Sequence, residues 1–449
     1  MTEPVADISM GDDDTIRGPL PGDCGTRVSV FCDGVRWAGV PVATDDAGRS
    51  TFACQLEPLP EPRKTAVEVR DAAGERVLSR SVMQRTRRTN EYGLAAHDVY
   101  RLGHPPLTAL PWVGFDGVRL TIGGGHLPPR GDPSSLGVRF DSPGVVHTFT
   151  YPLRSPGWED VYWYWPNAAN SNLLLAIDLP ASPSEADPFH FEFVETRDGD
   201  ARKLSDVWIP SDLRAFLNFT SDVSRIDRVL KGNDPFSIVL PSYLHFRYLE
   251  EQFARFGIVD GAGIRLLDWG CGVGRLSAHF IRTWRQAEIR GTDIDAANVD
   301  WCRTSLGRER FEVAPLWPPT GYPAASFDGV FGVSVMTHLT AEAQAAWLRE
   351  LARVLKPGGI ALLTFAGTAG TAVGSRWRSA SWWAAYSARG FDAETHDRAL
   401  DGFIDDPDYY RHTGQTRANV RATWSAHFDV LEMIDAAFGN QDLAVLRRR

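Results

Sequence analysis

The sequence predicts a Rossmann-like α/β domain in the C-terminal half of the chain, preceded by two all-β, sandwich-like units. Three observations lead to this prediction. An apolar run at residues 264–269 ends in a glycine loop and is followed by apolar residues at helical spacing. Further strand-like runs alternate with helical patterns after this loop, which is typical of a parallel sheet. Before residue 204, short alternating runs are separated by Gly, Pro, Asp and Ser, which favours antiparallel strands.

The segment Ile264–Phe280, IRLLDWGCGVGRLSAHF, organises the C-terminal domain. Its apolar residues suit a strand buried on both faces, and Asp268 closes that strand. Gly270, Gly272 and Gly274 let the backbone turn sharply and let a ligand approach without meeting a Cβ atom. The pattern therefore predicts a strand, a tight loop and a helix that together form a nucleotide-type site.

The glycine spacing indicates which nucleotide. A dinucleotide fingerprint needs a glycine or alanine three places after its second glycine, and Arg275 occupies that place here. Asp293, in EIRGTDID, follows the loop by about 20 residues at the end of the next strand, where a carboxylate accepts ribose hydroxyls. We therefore expect an adenosine ligand without a pyrophosphate.

These residues resemble the class I S-adenosylmethionine-dependent methyltransferases, and later stretches extend the likeness from about Leu204 to Arg449. FDGVFGV (327–333) is similar to the fourth strand of that family, and VLKPGGIALLTF (354–365) to its helix end, turn and fifth strand. With SVMTHL and the closing QDLAVLRR, the set looks most like methyltransferases associated with bacterial glycan and polysaccharide assembly. The resemblance implies a seven-stranded sheet, S-adenosylmethionine as cofactor, and association with glycan-assembly enzymes. The cofactor-binding residues that it implies are Asp268, Gly270, Cys271, Gly272, Gly274, Arg275, Asp293, Ile294 and, beside the adenine, Leu316.

Composition shifts and turn residues predict the domain organisation. The start of the chain is acidic and aperiodic, which is typical of a mobile arm. Two β-rich stretches follow, separated by a charged, proline-containing connector. The predicted units are a mobile arm at 1–21, a small β-sandwich at 22–84, a connector at 85–106, a second β-sandwich at 107–203, and the C-terminal domain at 204–449 with an insertion at 368–419.

Two segments of this organisation have further predictions. Val161–Trp165 alternates as a strand with aromatic residues on both faces, one filling a core and the other packing on a neighbouring domain or stacking on a sugar. The stretch from Trp208 to about residue 257 has helical patterns and should cover the cofactor site. Tyr243, His245 and Tyr248 in it are candidate lid residues, although a plain packing role is favoured for each of them.

Composition limits the class of protein. The chain has 449 residues, of which 43% are hydrophobic and 23% charged, with a net charge of −10. This balance is that of a globular protein and argues against one whose main task is to bind nucleic acid. The sequence has no apolar run of membrane-spanning length, and residues 1–14 lack the features of a signal peptide. We expect a cytoplasmic protein without a membrane span; the sequence does not indicate the oligomeric state.

Methyl transfer to a hydroxyl requires a base, and His338 is the first candidate. It follows the predicted fourth strand in SVMTHLT and should lie at the carboxyl edge of the sheet. The insertion should lie above the same edge and bind the acceptor, with Tyr409, Tyr410 and His412 as substrate-binding candidates. These three and His396 are weaker candidates for the base. No metal is expected, because the local carboxylates (Asp401, Asp405, Asp406 and Asp408) lie among turn residues.

Three functions stay open at this point. The first is O-methylation of a sugar hydroxyl in a glycan or glycosylated intermediate. The second is methylation of another small molecule at oxygen or nitrogen. The third is a glycan-binding or assembly protein with a non-catalytic methyltransferase fold, which the intact glycine loop and Asp293 disfavour.

Overall fold

The architecture comes from a computed structural model, which describes most of the chain. The described residues are 8–10, 15–22, 24–45, 47–56, 63–84, 90–94, 96, 99, 107–116, 118–127, 135–165, 168–178, 189–197, 200–209, 236–402, 404, 406 and 408–449.

The first unit consists of two four-stranded sheets around one core. One sheet has the order β1-β2-β6-β5 and the other β4-β3-β7-β8, and both contribute to one cluster of buried side chains. The arm predicted at 1–21 is wrong for its described residues, because Thr15–Pro19 pairs with β6 and Ile16 is fully buried. The strands are β1 Ser9–Met10, β2 Thr15–Pro19, β3 Arg27–Cys32, β4 Val35–Pro41, β5 Ala43–Thr44, β6 Ser50–Gln55, β7 Arg63–Arg70 and β8 Arg76–Gln84.

The second unit also consists of two antiparallel sheets around a common core. Their strand orders are β12-β13-β10-β9 and β11-β14-β15. Alternating burial along β13, with every second residue inside, accounts for the alternating sequence there. The strands are β9 Leu107–Phe115, β10 Arg119–Leu127, β11 Ser135–Phe140, β12 His147–Leu153, β13 Asn172–Asp178, β14 Phe189–Arg197 and β15 Asp200–Ile209.

The aromatic segment Val161–Trp165 is not a strand, so that prediction is wrong. A short helix, α1 (Pro156–Val161), precedes it, and turns follow. Trp163, Tyr164 and Trp165 are all buried, whereas an alternating strand would bury only every second residue on one face. They pack against the insertion of the C-terminal domain. This shared core surrounds the segment and accounts for its consecutive aromatic residues.

The predicted boundary at 203/204 is also wrong, because it falls inside β15. That strand pairs with β14 along its whole length and ends only at Ile209, so Trp208 and Ile209 are not helical. The predicted helical residues 210–235 lie outside the described residues. The next element is a long helix, α2 (Phe236–Ala254), which contains Pro241.

The C-terminal domain is built on a seven-stranded sheet of order β18-β17-β16-β19-β20-β24-β23. The first five strands of that order are parallel, and β24 and β23 form an antiparallel hairpin at the edge. The strands are β16 Arg265–Trp269, β17 Glu288–Asp293, β18 Phe311–Val313, β19 Phe327–Gly332, β20 Leu355–Phe365, β23 Phe428–Phe438 and β24 Gln441–Arg448.

Helices cover both faces of this sheet, and their N-terminal caps follow from the sequence. Asp295 accepts hydrogen bonds from the N–H groups of Ala297 and Asn298, and Thr340 accepts one from Ala343. The predicted strand, loop and helix at 264–280 are confirmed. The helices are α3 Ser277–Thr283, α4 Ala296–Leu306, α5 Ala341–Val354, α6 Thr368–Gly374, α7 Ala380–Arg389 and α8 Arg417–Trp424.

The insertion predicted at 368–419 contains α6, α7 and a two-stranded sheet of β21 (Phe391–His396) and β22 (Arg411–Gln415). The Thr413 hydroxyl joins it to the segment after β19 by donating to the Leu339 carbonyl at 2.9 Å. Its helices contact the front of the chain, where the Asn90 amide donates to the carbonyls of Ser375, Arg376 and Arg378 at 3.0, 2.9 and 2.7 Å. The front half and the insertion therefore share one packed interface.

In the part of the chain that the structure describes, no helix is both long and apolar enough to cross a membrane.

Candidate functional site

A cavity of about 330 Å³ opens at the carboxyl edge of the seven-stranded sheet. It lies beyond the ends of β16, β17 and β19, where the strand order reverses between β16 and β19. Open α/β sheets bind ligands at such a reversal, because the loops on either side diverge there. The position follows from the fold alone, and the side chains around it determine what can bind.

The glycine loop forms the floor of this cavity. Gly270 has φ +74°, and a Cβ atom there would meet Val335 Cγ2 at 2.3 Å, so this place requires glycine. Gly272 has φ +55° and nothing within 4 Å of its missing Cβ, which leaves open space on the ligand side. The loop thus has a tight turn that requires glycine at Gly270 and an unobstructed backbone surface at Gly272.

Asp293 fixes the loop from the next strand. Its carboxylate accepts the N–H of Gly272 at 2.7 Å and that of Asp295 at 2.8 Å. Asp293 and Ile294 both line the cavity. A carboxylate held by two backbone donors is ordered before any ligand arrives, and carboxylate oxygens are acceptors for hydroxyl groups.

Three of the predicted cofactor-binding residues do not line the cavity. Asp268 is 2% exposed, accepts a hydrogen bond from the Ser277 hydroxyl at 2.7 Å, and has its pKa raised to about 7 by burial. Gly274 faces Leu306 and Cys302, so its role is close packing against α4. Leu316 packs on the main core, and Ala314 takes the place beside the cavity.

Arg275 lines the cavity, as does Cys271, and is largely buried. Its guanidinium lies 3.2 Å from His245 Nδ1, and burial lowers the pKa of Arg275 to about 10. The α2 residues expected to cover the site do not line the cavity. Tyr243 packs against His279, and both His245 and Tyr248 pack against Phe438, so packing is their role here.

These features fit S-adenosylmethionine. The volume lies at the lower end of the range for small-molecule sites. The open face of Gly272 admits a ligand, and Asp293 supplies acceptors for ribose hydroxyls. Trp269, Ala314 and Leu339 give an apolar wall for an adenine and an alkyl chain. The loop provides no pyrophosphate cradle, in agreement with the glycine spacing.

His338 lines the same cavity as Asp293, and we call the part of the wall formed by His338, Asp397 and His412 the acceptor end. It ends a short 3₁₀ turn, Met336–His338, directly after β19, as the sequence predicts. Its ring stacks on Tyr410, with ring centres 4.3 Å apart and 11° between the planes. The stacking fixes the plane of the imidazole, so its ring nitrogens have defined directions.

Asp397, which sequence reasoning missed, lies beside His338. It is 3% exposed, and its Oδ2 lies 3.2 Å from Nδ1 of His338 and 3.4 Å from Nδ1 of His412. The contact with His338 is within ion-pair distance but lacks the alignment of a hydrogen bond. Burial acts to raise the pKa of this carboxyl, yet the neighbouring histidines and the Ala399 N–H hold the pKa well below its usual range. Asp397 is therefore ionised.

The other predicted acceptor-site residues divide into two groups. Tyr409, Tyr410 and His412 line the same cavity as His338. Burial raises the pKa of Tyr409 to about 12 and that of Tyr410 further. Both hydroxyls therefore stay protonated near neutral pH and do not serve as bases. His396 does not line it; its Nε2 pairs with Asp401 at 2.6 Å beside a smaller neighbouring cavity.

The acidic cluster weighed as a metal site is not assembled among its described members. Asp401 pairs with His396, and Asp408 pairs with Arg411. Asp405 lies outside the described residues. The structure instead brings together His338, Asp397 and His412, whose ligand atoms all lie within 4.8 Å of one another.

Comparison with known proteins finds similarity to methyltransferases in the central part of the domain. Residues 266–359 match the model of a methyltransferase domain. A fatty-acid O-methyltransferase of Mycolicibacterium smegmatis is 34% identical over 111 residues, which are 23% of this chain and 38% of that protein. A trans-aconitate 2-methyltransferase of an Azoarcus species is 34% identical over 116 residues, 25% of this chain and 43% of that protein. The chain thus spans less than half the length of these relatives.

Solved structures superpose on about half of the chain. The magnesium protoporphyrin IX methyltransferase of Synechocystis PCC 6803 with bound SAH is 17% identical, with a TM-score of 0.33, covering 53% of this chain and 98% of that one. A protein from Pyrococcus horikoshii gives a TM-score of 0.31 at 18% identity, covering 49% of this chain and all of its own. The sheet order described above, rather than these superpositions, defines the fold.

Proposed function

We propose that this chain, whose C-terminal half is an S-adenosylmethionine-dependent methyltransferase domain, methylates a hydroxyl oxygen, and that the hydroxyl belongs to a sugar of a glycan or glycosylated intermediate. S-adenosylmethionine, its cofactor, supplies an electrophilic methyl group. The chain must bind it, place an acceptor in line with that group, and remove the acceptor's proton. The observation that carries the proposal is the placing of His338 beside the buried Asp397 carboxylate in the wall of the same cavity that Asp293 lines.

A hydroxyl is too weakly acidic to be ionised near neutral pH, so an oxygen acceptor of this kind needs a base. His338 supports this role, because its ring is stacked on Tyr410 and its Nδ1 faces the ionised Asp397. With a carboxylate beside Nδ1, the proton of the neutral ring favours that nitrogen and leaves Nε2 free to accept. Asp397 in turn stabilises the charged imidazole that forms when His338 takes the proton.

The charges at the acceptor end support a neutral acceptor over an anionic one. Among the described residues, Arg275 is the only Lys or Arg that lines the main cavity, and its guanidinium lies beside His245. The acceptor end holds the carboxylate of Asp397, and Asp401 borders the small adjoining cavity. With no metal ion bound there, a carboxylate acceptor would meet the like charge of Asp397 without a Lys or Arg partner among the described residues.

Another small molecule is the second candidate acceptor. The names of two relatives, a fatty-acid O-methyltransferase and a trans-aconitate 2-methyltransferase, favour it. A carboxylate or amine acceptor needs no strong base, so loss of turnover in a His338 variant disfavours such acceptors but does not distinguish a sugar from another small molecule with a hydroxyl group. Association with glycan-assembly enzymes is part of the first proposal only, because it requires that the acceptor is a sugar of a glycan.

The test incubates the full chain with S-adenosylmethionine carrying a deuterated methyl group and with three acceptor sets: neutral oligosaccharides, carboxylic acids and amines. Mass spectrometry then locates the added label. We expect a methyl ether on a sugar, and loss of that product in His338→Ala. Label found only as a methyl ester or on nitrogen would contradict the proposal.

A further inference from the structure

We propose that His338, Asp397 and His412 bind a divalent transition-metal ion at the acceptor end of the cavity. Binding of the ion does not depend on the proposed function. The role of the ion in the reaction does, because it rests on methyl transfer. His338 comes from the turn after β19, whereas Asp397 follows β21 and His412 lies in β22. The insertion thus supplies two of the three side chains.

The distances from the Asp397 carboxylate to the two histidines fit a single ion. Two atoms bound about 2.0–2.2 Å from one ion at angles of about 90–110° lie roughly 2.8–3.6 Å apart. Asp397 Oδ2 lies 3.2 Å from His338 Nδ1 and 3.4 Å from His412 Nδ1.

Two of the three side chains, and the strand that carries the third, are held before any ion binds. Asp397 is buried, and its other oxygen accepts the Ala399 N–H at 3.0 Å. The ring of His338 is stacked on Tyr410. The strand that carries His412 is fixed to the 3₁₀ turn of His338 through the hydrogen bond from Thr413 to Leu339. Binding therefore needs little rearrangement, which is the condition for a tight metal site.

The donor atoms indicate the class of ion. Two imidazole nitrogens and one carboxylate oxygen suit zinc, iron, cobalt or nickel, whereas magnesium and calcium prefer oxygen ligands alone. Three protein ligands leave open positions, which is typical of sites where an ion meets a substrate. Those positions face the cavity, because all three side chains line it.

A second group with metal-binding residue types provides a contrast within the same chain. His190, Glu192 and Asp206 also lie close together on the second β unit. There Arg139 binds Glu192, and Lys203 binds Asp206 at 2.9 Å, so cations of the protein already balance these carboxylates. In the described structure, Asp397 has only the two histidines as ion-pair partners.

The ion would change how the acceptor loses its proton. With the ion in place, His338 is a ligand, and the hydroxyl, acidified by the ion, releases its proton to water. The bond from oxygen to the methyl carbon then forms as the sulfur–carbon bond breaks, and the electron pair stays on sulfur. Without the ion, His338 is the base.

Cobalt(II) binding to tag-free, full-length protein, stripped beforehand with a chelator, tests the site. We expect one Co²⁺ per chain, seen in the visible absorption bands and in elemental analysis. Asp397→Asn and His412→Ala should each weaken binding by about 100-fold or more. The matched control is His396→Ala, which removes a carboxylate-paired histidine from the same insertion and should leave binding unchanged.

Two results would overturn the metal site: no stoichiometric Co²⁺ in the wild type, or equal binding by the wild type and Asp397→Asn. The measurement contains neither cofactor nor acceptor, so its outcome is separate from methyl transfer. A chain that binds cobalt through these residues but methylates no sugar contradicts the proposed function alone. A chain that methylates sugars and fails to bind cobalt contradicts the metal site alone.

Discussion

Replacing Asp293 tests the cofactor end of the cavity. This carboxylate has two tasks in the structure. It accepts the N–H groups of Gly272 and Asp295 at 2.7 and 2.8 Å, which orders the glycine loop. It also faces the cavity, where we expect its oxygens to accept the ribose hydroxyls. Asp293→Ala removes both tasks at once.

The expected magnitude follows from the bonds that are lost. A hydrogen bond to a charged group contributes about 1.5–3 kcal/mol. Losing the equivalent of one such bond to the ribose weakens cofactor binding about 10- to 150-fold. The freed Gly272 and Asp295 N–H groups lie at the cavity wall and can bind water, so we expect the domain to stay folded. Any loosening of the loop adds to the loss of affinity.

Calorimetric titration with S-adenosylhomocysteine measures this loss, and Asp295→Asn is the matched comparison. Asp295 lies two residues away and caps α4 through the N–H groups of Ala297 and Asn298. Asparagine caps a helix about as well as aspartate, so this variant removes a neighbouring charge with little structural change. We expect a small effect in Asp295→Asn. A folded Asp293→Ala with an unchanged dissociation constant, or a larger loss in Asp295→Asn, refutes the ribose assignment.

Three further predictions concern the acceptor end, the domain interface and the response to pH. His338→Ala should lower turnover by about 10²–10⁴-fold and leave S-adenosylhomocysteine affinity nearly unchanged; weaker cofactor binding with normal turnover at saturation would place His338 in the methionine pocket instead. Asn90→Asp puts an acceptor against three carbonyls and should lower the free energy of unfolding in urea by about 1–3 kcal/mol, whereas unaltered stability would show that this contact contributes nothing. Burial lowers the pKa of His126 to about 4 and that of His279 to about 3 from 6.5, so between about pH 6.5 and pH 4 the unfolded chain binds protons that the folded chain does not. The free energy of unfolding should therefore fall on acidification, by up to about 1.4 kcal/mol per pH unit for each histidine. In urea titrations at several pH values, His279→Asn should lower the slope of this free energy against pH by the contribution of one histidine.

The cofactor end could be predicted from sequence because its parts lie in one continuous segment. A buried strand, three glycines with positive φ and an acid at the end of the next strand all leave local marks between residues 264 and 293. His338 could be placed in the same way, since it directly follows β19. Contacts behind the loop cannot be predicted from the local sequence. Asp268 has the sequence position of a cofactor-binding residue, yet it is buried and accepts a hydrogen bond from the Ser277 hydroxyl.

The acceptor end could be predicted only in part, because it forms when the insertion folds back. Asp397 lies between two short elements, and only a neighbouring histidine marks it in the sequence. Val161–Trp165 alternates like a strand, yet its aromatic side chains are buried from several sides between the front half and the insertion. The N-terminal strand β2 was missed because its partner, β6, lies more than thirty residues away. In each case a contact between distant segments overrides the local pattern.

A crystal structure of the full chain with S-adenosylhomocysteine tests the account most directly. We predict that both ribose hydroxyls lie within hydrogen-bonding distance of the Asp293 carboxylate, above the open face of Gly272. The sulfur should face the end of the cavity formed by His338, Asp397 and His412. A ribose bound away from Asp293, or a sulfur directed away from His338, would contradict the assignment of the two ends of this cavity.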